Sequence, residues 1–475
     1  MSTEALKRWR QAESLAWGLV LFTLPITSFR YYPNFFGRTQ VKPLAFLPLA
    51  LFLLLAGGRI LRQRRWGWLS PLAPLGIFLA GAFLSTAYGW VLNPPPLFGL
   101  TYPQRALRAW LSLAIGLGFL LGGLWAYESL ADLRRALRWL YAGFLLAALW
   151  GTLQASAIHL HFPPFDLLNR LQRTFSVSQL QPKRISGMAY EPSWFADQLV
   201  VLYLPWLAAA LLSGYRVLKW RWAEVGLFLW AGALLVFTVS RSGVLVALGS
   251  AAAVAGLWLM LWGRQLLSPM RWRQIWPRLL GGAFLGGLLL LVGFAVLRRN
   301  DYFAVLFHLE PGQSLVDYMI NIRSGSRLAY NWAGMRLFEQ HPWLGVGLGG
   351  SGFSLYDLLP EWSRTMLPEI ARYLSPLYRT FLNPKNMYVR LLAETGLLGL
   401  LTFLAFVANL WGQSLAWWTQ AGRSARFLAV ASAWILVALL LRWFAQDSLA
   451  TPNVWLSLGT LLALASSPSE KEASR

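Results

Sequence analysis

The chain has 475 residues, of which 57% are hydrophobic and 13% are charged, and 27 are tryptophan. This composition, with many apolar runs near the ~20 residues that a helix needs to cross a bilayer, excludes an ordinary soluble protein. The chain contains no cysteine, which excludes disulfides, thiolate metal sites and cysteine nucleophiles. We therefore predict an all-α polytopic membrane protein.

Hydropathy along the chain predicts about twelve transmembrane helices. The first apolar run begins near Leu15 and no small-residue cleavage site follows it, so we expect a retained helix and not a signal peptide. The predicted spans are residues 14–29, 43–58, 71–92, 107–127, 135–156, 191–213, 222–240, 242–262, 276–297, 386–411, 426–446 and 450–467.

A long polar segment separates the ninth predicted span from the tenth. Apolar residues at helical spacing within it, among them Leu328, Trp332 and Met335, predict amphipathic helices that lie as a lid over the membrane surface. The predicted regions are residues 1–297 with transmembrane helices 1–9, 298–385 as a periplasmic loop, 386–467 with transmembrane helices 10–12, and 468–475 as a cytoplasmic tail.

The distribution of lysine and arginine predicts the orientation. Basic clusters in the short connections fall on alternate sides of successive spans, which predicts that both termini are cytoplasmic. Orientation and anionic lipid headgroups therefore account for about half of the basic residues behind the net charge of +23, and a nucleic-acid partner is not expected. The remaining arginines lie on the predicted outer side, where some are simply solvated.

The loop before the sixth predicted span ends in KRISGMAYEPSWFADQL, residues 183–199. Pro192 suits the first turn of a helix, and Glu191 beside it complements the positive end of the helix dipole. That structural explanation accounts less well for Arg184 and Glu191 together, a cation and a carboxylate seven residues apart at the membrane surface. We predict functional roles for both.

The turn TVSRSG, residues 238–243, joins two predicted spans with almost no loop. Arg241 can simply extend to the lipid headgroups. Its neighbours also offer two hydroxyl groups and the unobstructed backbone of Gly243 at a helix start, which together suit a phosphate. We favour an anion site at Arg241.

Polar residues enter the tenth predicted span. Asn383 is predicted to cap this helix, with Pro384 at its first position. Asn386, Arg390 and Glu394 then follow at intervals of four residues on one helical face, and ionisable residues at such a depth face the bundle interior or a wet cavity. One explanation is an Arg390–Glu394 ion pair that only joins helices. We favour a functional cavity with this pair behind it.

The sequence lacks the usual signatures of metal and nucleotide sites. Its four histidines form no cluster with carboxylates, and it contains no P-loop, serine nucleophile elbow or Asp-x-Asp pair. We expect no metal and no cofactor. An outer face rich in arginine then suggests an anionic ligand that carries its own leaving group.

Several segments resemble the O-antigen ligase and polymerase superfamily of bacterial envelope glycan assembly. The resemblance is carried by RSGSRLAYNWAGMRLFEQHPWLGVGLGGSGF at 323–353, NMYVRLLAETGLLG at 386–399, SRSG at 240–243 and RISGMAYEPSWFA at 184–196. It implies a GT-C-like glycosyltransferase that acts without a metal at the outer face of the bacterial inner membrane. The donor would be a glycan linked to undecaprenyl pyrophosphate, transferred with inversion at the anomeric carbon.

The resemblance also implies roles for particular residues. Arginines would hold the pyrophosphate, and other polar residues of the signature region would line the substrate site. The arginines are Arg184, Arg241 and Arg327, and the other substrate-binding candidates are Arg336, Asn386, Tyr388, Arg390 and Glu394. Expected partners are the lipid-linked donor, a lipid-linked acceptor and membrane lipids, with room for a chain-length regulator.

One position departs from the family pattern. The family commonly has a histidine just before the Asn-x-Tyr motif, thought to activate the acceptor hydroxyl, whereas this chain has Lys385. A lysine acts as a base only where its surroundings favour the neutral amine. Otherwise Lys385 supplies a fixed positive charge and Glu191 is the better base. We favour the charge role.

Three functions remain open. The segment YEPSWFA and the missing histidine resemble the polymerase side of the superfamily, so we favour a polymerase of lipid-linked repeat units over a ligase that moves the glycan to lipid A core. A transporter or flippase is the alternative from another class. It predicts charged or broken helices near the membrane midplane in two related halves, whereas the ionisable residues here crowd the predicted outer mouth.

Overall fold

The computed structural model describes residues 3–33, 41–63, 71–266, 294–295, 297–308, 311–374, 378 and 380–466. Its regular structure in these ranges is helical, which confirms the all-α prediction. The helices are α1 (Thr3–Thr23), α2 (Phe46–Gln63), α3 (Ala73–Leu92), α4 (Tyr102–Trp125), α5 (Leu130–His159), α6 (Phe165–Phe175), α7 (Pro192–Gln198), α8 (Leu204–Ser213), α9 (Arg221–Phe237), α10 (Arg241–Leu266), α11 (Asp301–Ala304), α12 (Leu315–Asn321), α13 (Gly325–Gln340), α14 (Ser351–Ser354), α15 (Glu361–Met366), α16 (Pro368–Leu374), α17 (Met387–Thr419), α18 (Arg423–Arg442) and α19 (Pro452–Ser466).

Several helices are suited to crossing a membrane. Within the described residues seven helical segments are long and apolar enough to do so: Ala73–Leu92, Tyr102–Trp125, Leu130–His159, Pro192–Ser213, Arg241–Met260, Met387–Thr419 and Arg423–Arg442. The protein is therefore a multi-pass membrane protein. The number of about twelve spans stays a prediction. Most of the ninth predicted span, residues 276–293, lies outside the described residues.

Small residues let two helices of the bundle approach closely. The helices α4 and α19 are in contact, and a Cβ on Gly123 would lie 2.8 Å from the Leu456 carbonyl oxygen. A Cβ on Gly459 would lie 2.0 Å from the Leu120 carbonyl oxygen. Backbones in direct contact are a common way to join helices in lipid, where apolar burial alone gives little net attraction.

The sixth predicted span is not one regular helix. It consists of α7, one π-helical turn (Leu199–Tyr203) and α8. Pro205 in the first turn of α8 has no N–H, and its ring clashes with a carbonyl one turn earlier, so the preceding turn widens. As predicted, Pro192 opens the first of these helices.

The helix α17 is broken at Gly396, whose φ of 63° and ψ of −166° are not helical. The segment after α13 fills the break. The N–H groups of Val346 and Gly347 donate to the carbonyls of Ala393 and Glu394 at 3.0 and 2.8 Å. Irregular backbone inside a membrane bundle is stable only when its polar groups are paired in this way.

Five connections meet at one end of the bundle, which we call the loop end. They are the segments after α1, before α7, between α9 and α10, from α11 to α17, and between α18 and α19. Hydrogen bonds join them: the Tyr190 N–H donates to Thr27 Oγ1 at 2.9 Å, and the Met387 N–H donates to the Trp443 carbonyl at 2.8 Å. The loop end is the side predicted to face the periplasm, and that location stays a prediction.

Candidate functional site

Three arginines meet on one tyrosine ring at the loop end. The guanidinium carbons of Arg241, Arg184 and Arg323 lie 4.0, 5.1 and 6.0 Å from the centroid of the Tyr302 ring. The negative face of an aromatic ring attracts cations and so offsets part of the repulsion among them. We call these four residues the arginine cluster. Its members come from three of the five segments at the loop end, with Tyr302 and Arg323 on the same one.

Backbone carbonyls fix two of the arginines. Arg184 Nε donates to the Thr238 carbonyl at 2.9 Å, and Arg241 Nη1 donates to the Ile322 carbonyl. The Nε and Nη2 atoms of Arg241 are buried and have no hydrogen-bond partner among the described residues. Because a buried donor without a partner is destabilising, these atoms are suited to an acceptor that a ligand brings.

The cluster carries positive charge that the protein does not neutralise. In the described part of the chain, none of its three arginines forms an ion pair, and the nearby pair of Lys183 and Asp301, 3.5 Å apart, is exposed. Burial lowers the pKa of Arg184, the fields of Tyr302 and Glu191 raise it, and the charge of Arg241 lowers it. An arginine stays protonated even so. An anion bound here would neutralise part of the positive charge of the three arginines and so reduce their mutual repulsion.

Glu191 begins the helix that follows Arg184. It is half-buried, and its carboxylate accepts a hydrogen bond from the Ser193 hydroxyl. Its backbone carbonyl accepts from the Phe195 N–H at 3.2 Å, as expected of a residue that caps α7. Glu191 thus lies at the positive end of a short helix and within the electrostatic reach of Arg184.

The start of α17 differs from the sequence prediction. The helix begins at Met387 with Asn386 as its cap, so the predicted cap at Asn383 with Pro384 in the first turn is wrong. Asn386 Oδ1 accepts from the N–H of Tyr388 at 3.0 Å, which satisfies a free donor of the first turn. Lys385 has a φ of 62°, and the helix begins after this left-handed turn, three residues beyond Pro384.

Lys385 is anchored through its backbone and not through its side chain. Its N–H donates to Asp447 Oδ2 at 3.0 Å, while the side chain is exposed. Tyr388 is fixed to the neighbouring helix, because its hydroxyl donates to the Leu440 carbonyl at 2.8 Å. Both residues therefore lie where α17 meets the connection between α18 and α19. Their roles toward a substrate stay predictions.

Arg390 and Glu394 form a buried pair. Arg390 Nε donates to Glu394 Oε2 at 3.0 Å and Nη1 donates to the Asp447 carbonyl at 2.6 Å. Glu394 Oε1 also accepts from the Ser351 hydroxyl at 2.7 Å. The side chain of Glu394 is 1% exposed. This geometry favours the alternative in which the pair joins α14, α17 and the connection after α18.

Residues 226–404 match a family model described as O-antigen ligase. This part of the chain, which is less than half of it, is similar to that family. The match confirms the resemblance that the sequence motifs carry, and it implies an activity of the ligase or polymerase type, which is a glycosyl transfer. No curated protein matches the chain at a significant level.

The family match covers only part of the site. It includes Arg241, Tyr302 and Arg323 of the arginine cluster, together with Lys385, but Arg184 and Glu191 precede it. Among the residues that the structure describes, no three His, Cys, Asp or Glu side chains are grouped closely enough to hold a metal ion.

The sequence prediction missed two members of the cluster, Tyr302 and Arg323. A signal was present, because the tripeptide Arg-Ser-Gly occurs twice, at 241–243 at the start of α10 and at 323–325 at the start of α13. Both glycines are packed tightly: a Cβ on Gly243 would lie 2.7 Å from the Ala196 Cβ, and one on Gly325 2.9 Å from Ile320 Cγ1. Each tripeptide therefore places its arginine at a helix start that is held against a neighbour.

Two further predicted arginines lie outside the cluster. Arg327 Nη1 donates to the Ala445 carbonyl at 2.5 Å, on the same connection that holds Lys385. Arg336 is exposed and pairs with Glu339 at 3.0 Å. Its guanidinium carbon also lies 5.4 Å from the Trp332 ring centroid. Of the two, only Arg327 contacts the connection between α18 and α19, and these contacts give no support to a substrate role for Arg336.

Proposed function

We propose that the protein is an inverting, metal-independent glycosyltransferase that polymerises oligosaccharide repeat units linked to undecaprenyl pyrophosphate. The reaction would take place at the periplasmic face of the bacterial inner membrane, with both chain termini in the cytoplasm. The observation that carries this proposal is the arginine cluster, in which three guanidinium groups lie together without an ion pair among the described residues.

A pyrophosphate fits the chemistry of this cluster. Planar guanidinium groups recognise phosphate oxygens through paired N–H donors, and Arg241 keeps two donors without a partner in the described residues. Negative charge on the pyrophosphate increases as its bond to the sugar breaks. Fixed cations that are shielded from water stabilise this developing charge and lower the barrier.

The transfer itself needs one bond formed and one broken. The oxygen of an acceptor hydroxyl bonds to the anomeric carbon while the bond from this carbon to the pyrophosphate oxygen breaks, and the electron pair leaves with undecaprenyl pyrophosphate. In this proposal the carboxylate of Glu191 accepts the hydroxyl proton. Lys385, whose side chain is exposed, contributes positive charge near the substrate.

A ligase that transfers the glycan to lipid A core is the second candidate, because the matching family is described by that activity. Both reactions use the same donor and the same leaving group, so the arginine cluster supports them equally. They differ in the acceptor, which is another lipid-linked repeat unit for the polymerase and lipid A core for the ligase.

The test is reconstitution of the purified protein in liposomes with lipid-pyrophosphate repeat units. A ladder of lipid-linked oligomers is the expected product, and transfer only after lipid A core is added would assign the ligase instead. If the protein consumes no donor in either assay and the sugar lipid instead crosses the bilayer, the transporter class replaces both.

A further inference from the structure

A second polar region lies at the loop end, outside the residues that match the family model. It is a narrow cavity between the end of α1, the end of α7, the end of α18 and the start of α19, lined among others by Trp194, Asp197, Gln198, Arg442 and Asn453. We call it the α7 cavity. Its open space is about 20 Å³, enough for one small group and not for a whole glycan.

Three polar atoms on the lining residues of this cavity are buried without a partner among the described residues. They are Arg442 Nε and Asn453 Nδ2, which are donors, and Gln198 Oε1, which is an acceptor. The three residues are only 3–4% exposed. Unpaired buried groups of this kind are destabilising, so three on the residues of one cavity are suited to a ligand group that would pair with them.

The charge of the cavity is balanced, unlike that of the arginine cluster. Arg442 Nη2 donates to the Asp197 carboxylate, and these side chains are 4% and 12% exposed. A buried cation with its own carboxylate has little attraction left for an anion. Two free donors and one free acceptor instead suit a hydroxyl group, which donates and accepts at once.

The short helix α7 connects the cavity to the proposed transfer site. Glu191 caps this helix, and Asp197 lies six residues later, about 9 Å along the axis. Ala196 on the same helix touches Gly243, which is two residues from Arg241. The same short helix therefore carries the residue proposed as the base at its start, a contact to the helix of Arg241, and the wall of the cavity near its end.

We propose that the α7 cavity is a sugar subsite that receives a hydroxyl or hydroxymethyl group of a neutral sugar residue in the glycan acceptor. The proposal rests on the glycosyltransferase function and specifies one part of its substrate. The indole of Trp194, half-buried on the cavity wall, supplies an apolar surface for the face of the ring, as aromatic residues do in small-molecule sites.

The direct test measures sugar binding without turnover. The full chain is placed in nanodiscs without glycosidic detergent, and saturation-transfer NMR is recorded with the methyl glycosides of glucose, galactose and N-acetylglucosamine. We expect a signal from at least one of these sugars. We also expect it to fall about ten-fold in Asn453→Leu, because the variant loses a donor to the hydroxyl.

Two further variants keep the result interpretable. Gln198→Met removes the free acceptor at nearly constant volume and serves if Asn453→Leu does not fold. Gln413→Met is the matched control, since Gln413 Oε1 is likewise buried without a described partner but Gln413 does not line the cavity. The control is expected to bind the sugar as the wild type does.

Three results would overturn the subsite. They are no signal from any of the sugars with the wild type, an unchanged signal in both cavity variants, or a signal that added pyrophosphate abolishes, because the last would place the sugar at the arginine cluster. The first two outcomes would indicate that only water occupies the cavity.

In the transfer assay the cavity variants should raise the KM for the acceptor about ten-fold and leave the KM for the donor unchanged. Failure of the transfer assay with sugar binding intact would refute the proposed function and not the subsite.

Discussion

The arginine cluster and the Arg390–Glu394 pair use the same side chain in opposite ways. In the cluster, Arg241 lies over the Tyr302 ring with two donors unpaired among the described residues. On α17, Arg390 is held by the Glu394 carboxylate and the Asp447 carbonyl. A buried cation with its partners in place holds the fold together, whereas one without partners is an unfavourable arrangement that a ligand can relieve.

The largest effect is expected at Arg241. Replacement Arg241→Ala should lower the transfer rate about a thousand-fold, because it removes a shielded donor from the pyrophosphate as charge develops. The amount of folded protein in the membrane should not change. The rate is measured by consumption of the lipid-pyrophosphate donor in liposomes.

The matched control is Arg372→Ala. Arg372 also lies over a tyrosine ring, 4.3 Å from the Tyr378 centroid, but on the exposed surface of the loop. This variant should keep the wild-type rate. Equal losses of transfer rate in the Arg241 and Arg372 variants would mean that arginine–tyrosine contacts matter for the loop in general. The cluster would then have no specific role in transfer.

The Arg390–Glu394 pair should respond in stability first. Arg390→Met leaves the Glu394 carboxylate buried without its partner and should lower the free energy of unfolding by about 3–5 kcal/mol. The double variant Arg390→Met, Glu394→Leu should lose less, since no charge is left unpaired. Denaturant titration of the purified protein measures both. If the single variant is stable but inactive, the pair has a functional role and not only a structural one.

An intermediate effect is expected at Tyr302, which holds the cluster together. Tyr302→Leu should reduce the transfer rate about ten-fold, the value of a cation–π contact that is partly shielded from water. Tyr302→Phe keeps the ring and should stay close to the wild type. If both variants lose activity equally, the hydroxyl and not the ring is the important group.

The smallest effect is expected at Lys385, whose side chain is exposed. Lys385→Met should slow transfer about five-fold, as for the loss of one solvated charge. Lys385→Arg should restore the rate and leave its pH profile unchanged. Loss of activity in both variants, together with an altered pH profile, would identify Lys385 as the base in place of Glu191.

Local patterns predicted part of this site. A proline at the start of α7 and an arginine at the start of α10 follow from residue types and short spacing. Arg241 was predicted as an anion-binding residue from its surroundings, Arg184 was predicted to have a functional role, and the structure brings both to Tyr302. That they bind an anion is still a prediction.

Contacts between distant segments were not predictable in the same way. Tyr302 and Arg323 meet the other two arginines only because several connections converge at the loop end. The cap of α17 was misplaced because Asp447, sixty-two residues beyond Lys385, accepts the N–H that fixes the turn before the helix. The break at Gly396 likewise depends on the segment around Val346, which supplies the donors that the break requires. Sequence spacing alone does not indicate which distant residues will be such partners.

The central claim is that the arginine cluster binds the pyrophosphate of the lipid-linked donor. The most direct measurement is the affinity of undecaprenyl pyrophosphate for the protein in nanodiscs, compared among the wild type, Arg184→Ala, Arg241→Ala and Arg372→Ala. We predict affinities lower by about ten-fold or more in the two cluster variants, each of which loses charge-assisted hydrogen bonds, and no change in Arg372→Ala. Wild-type affinity in both cluster variants would contradict the account.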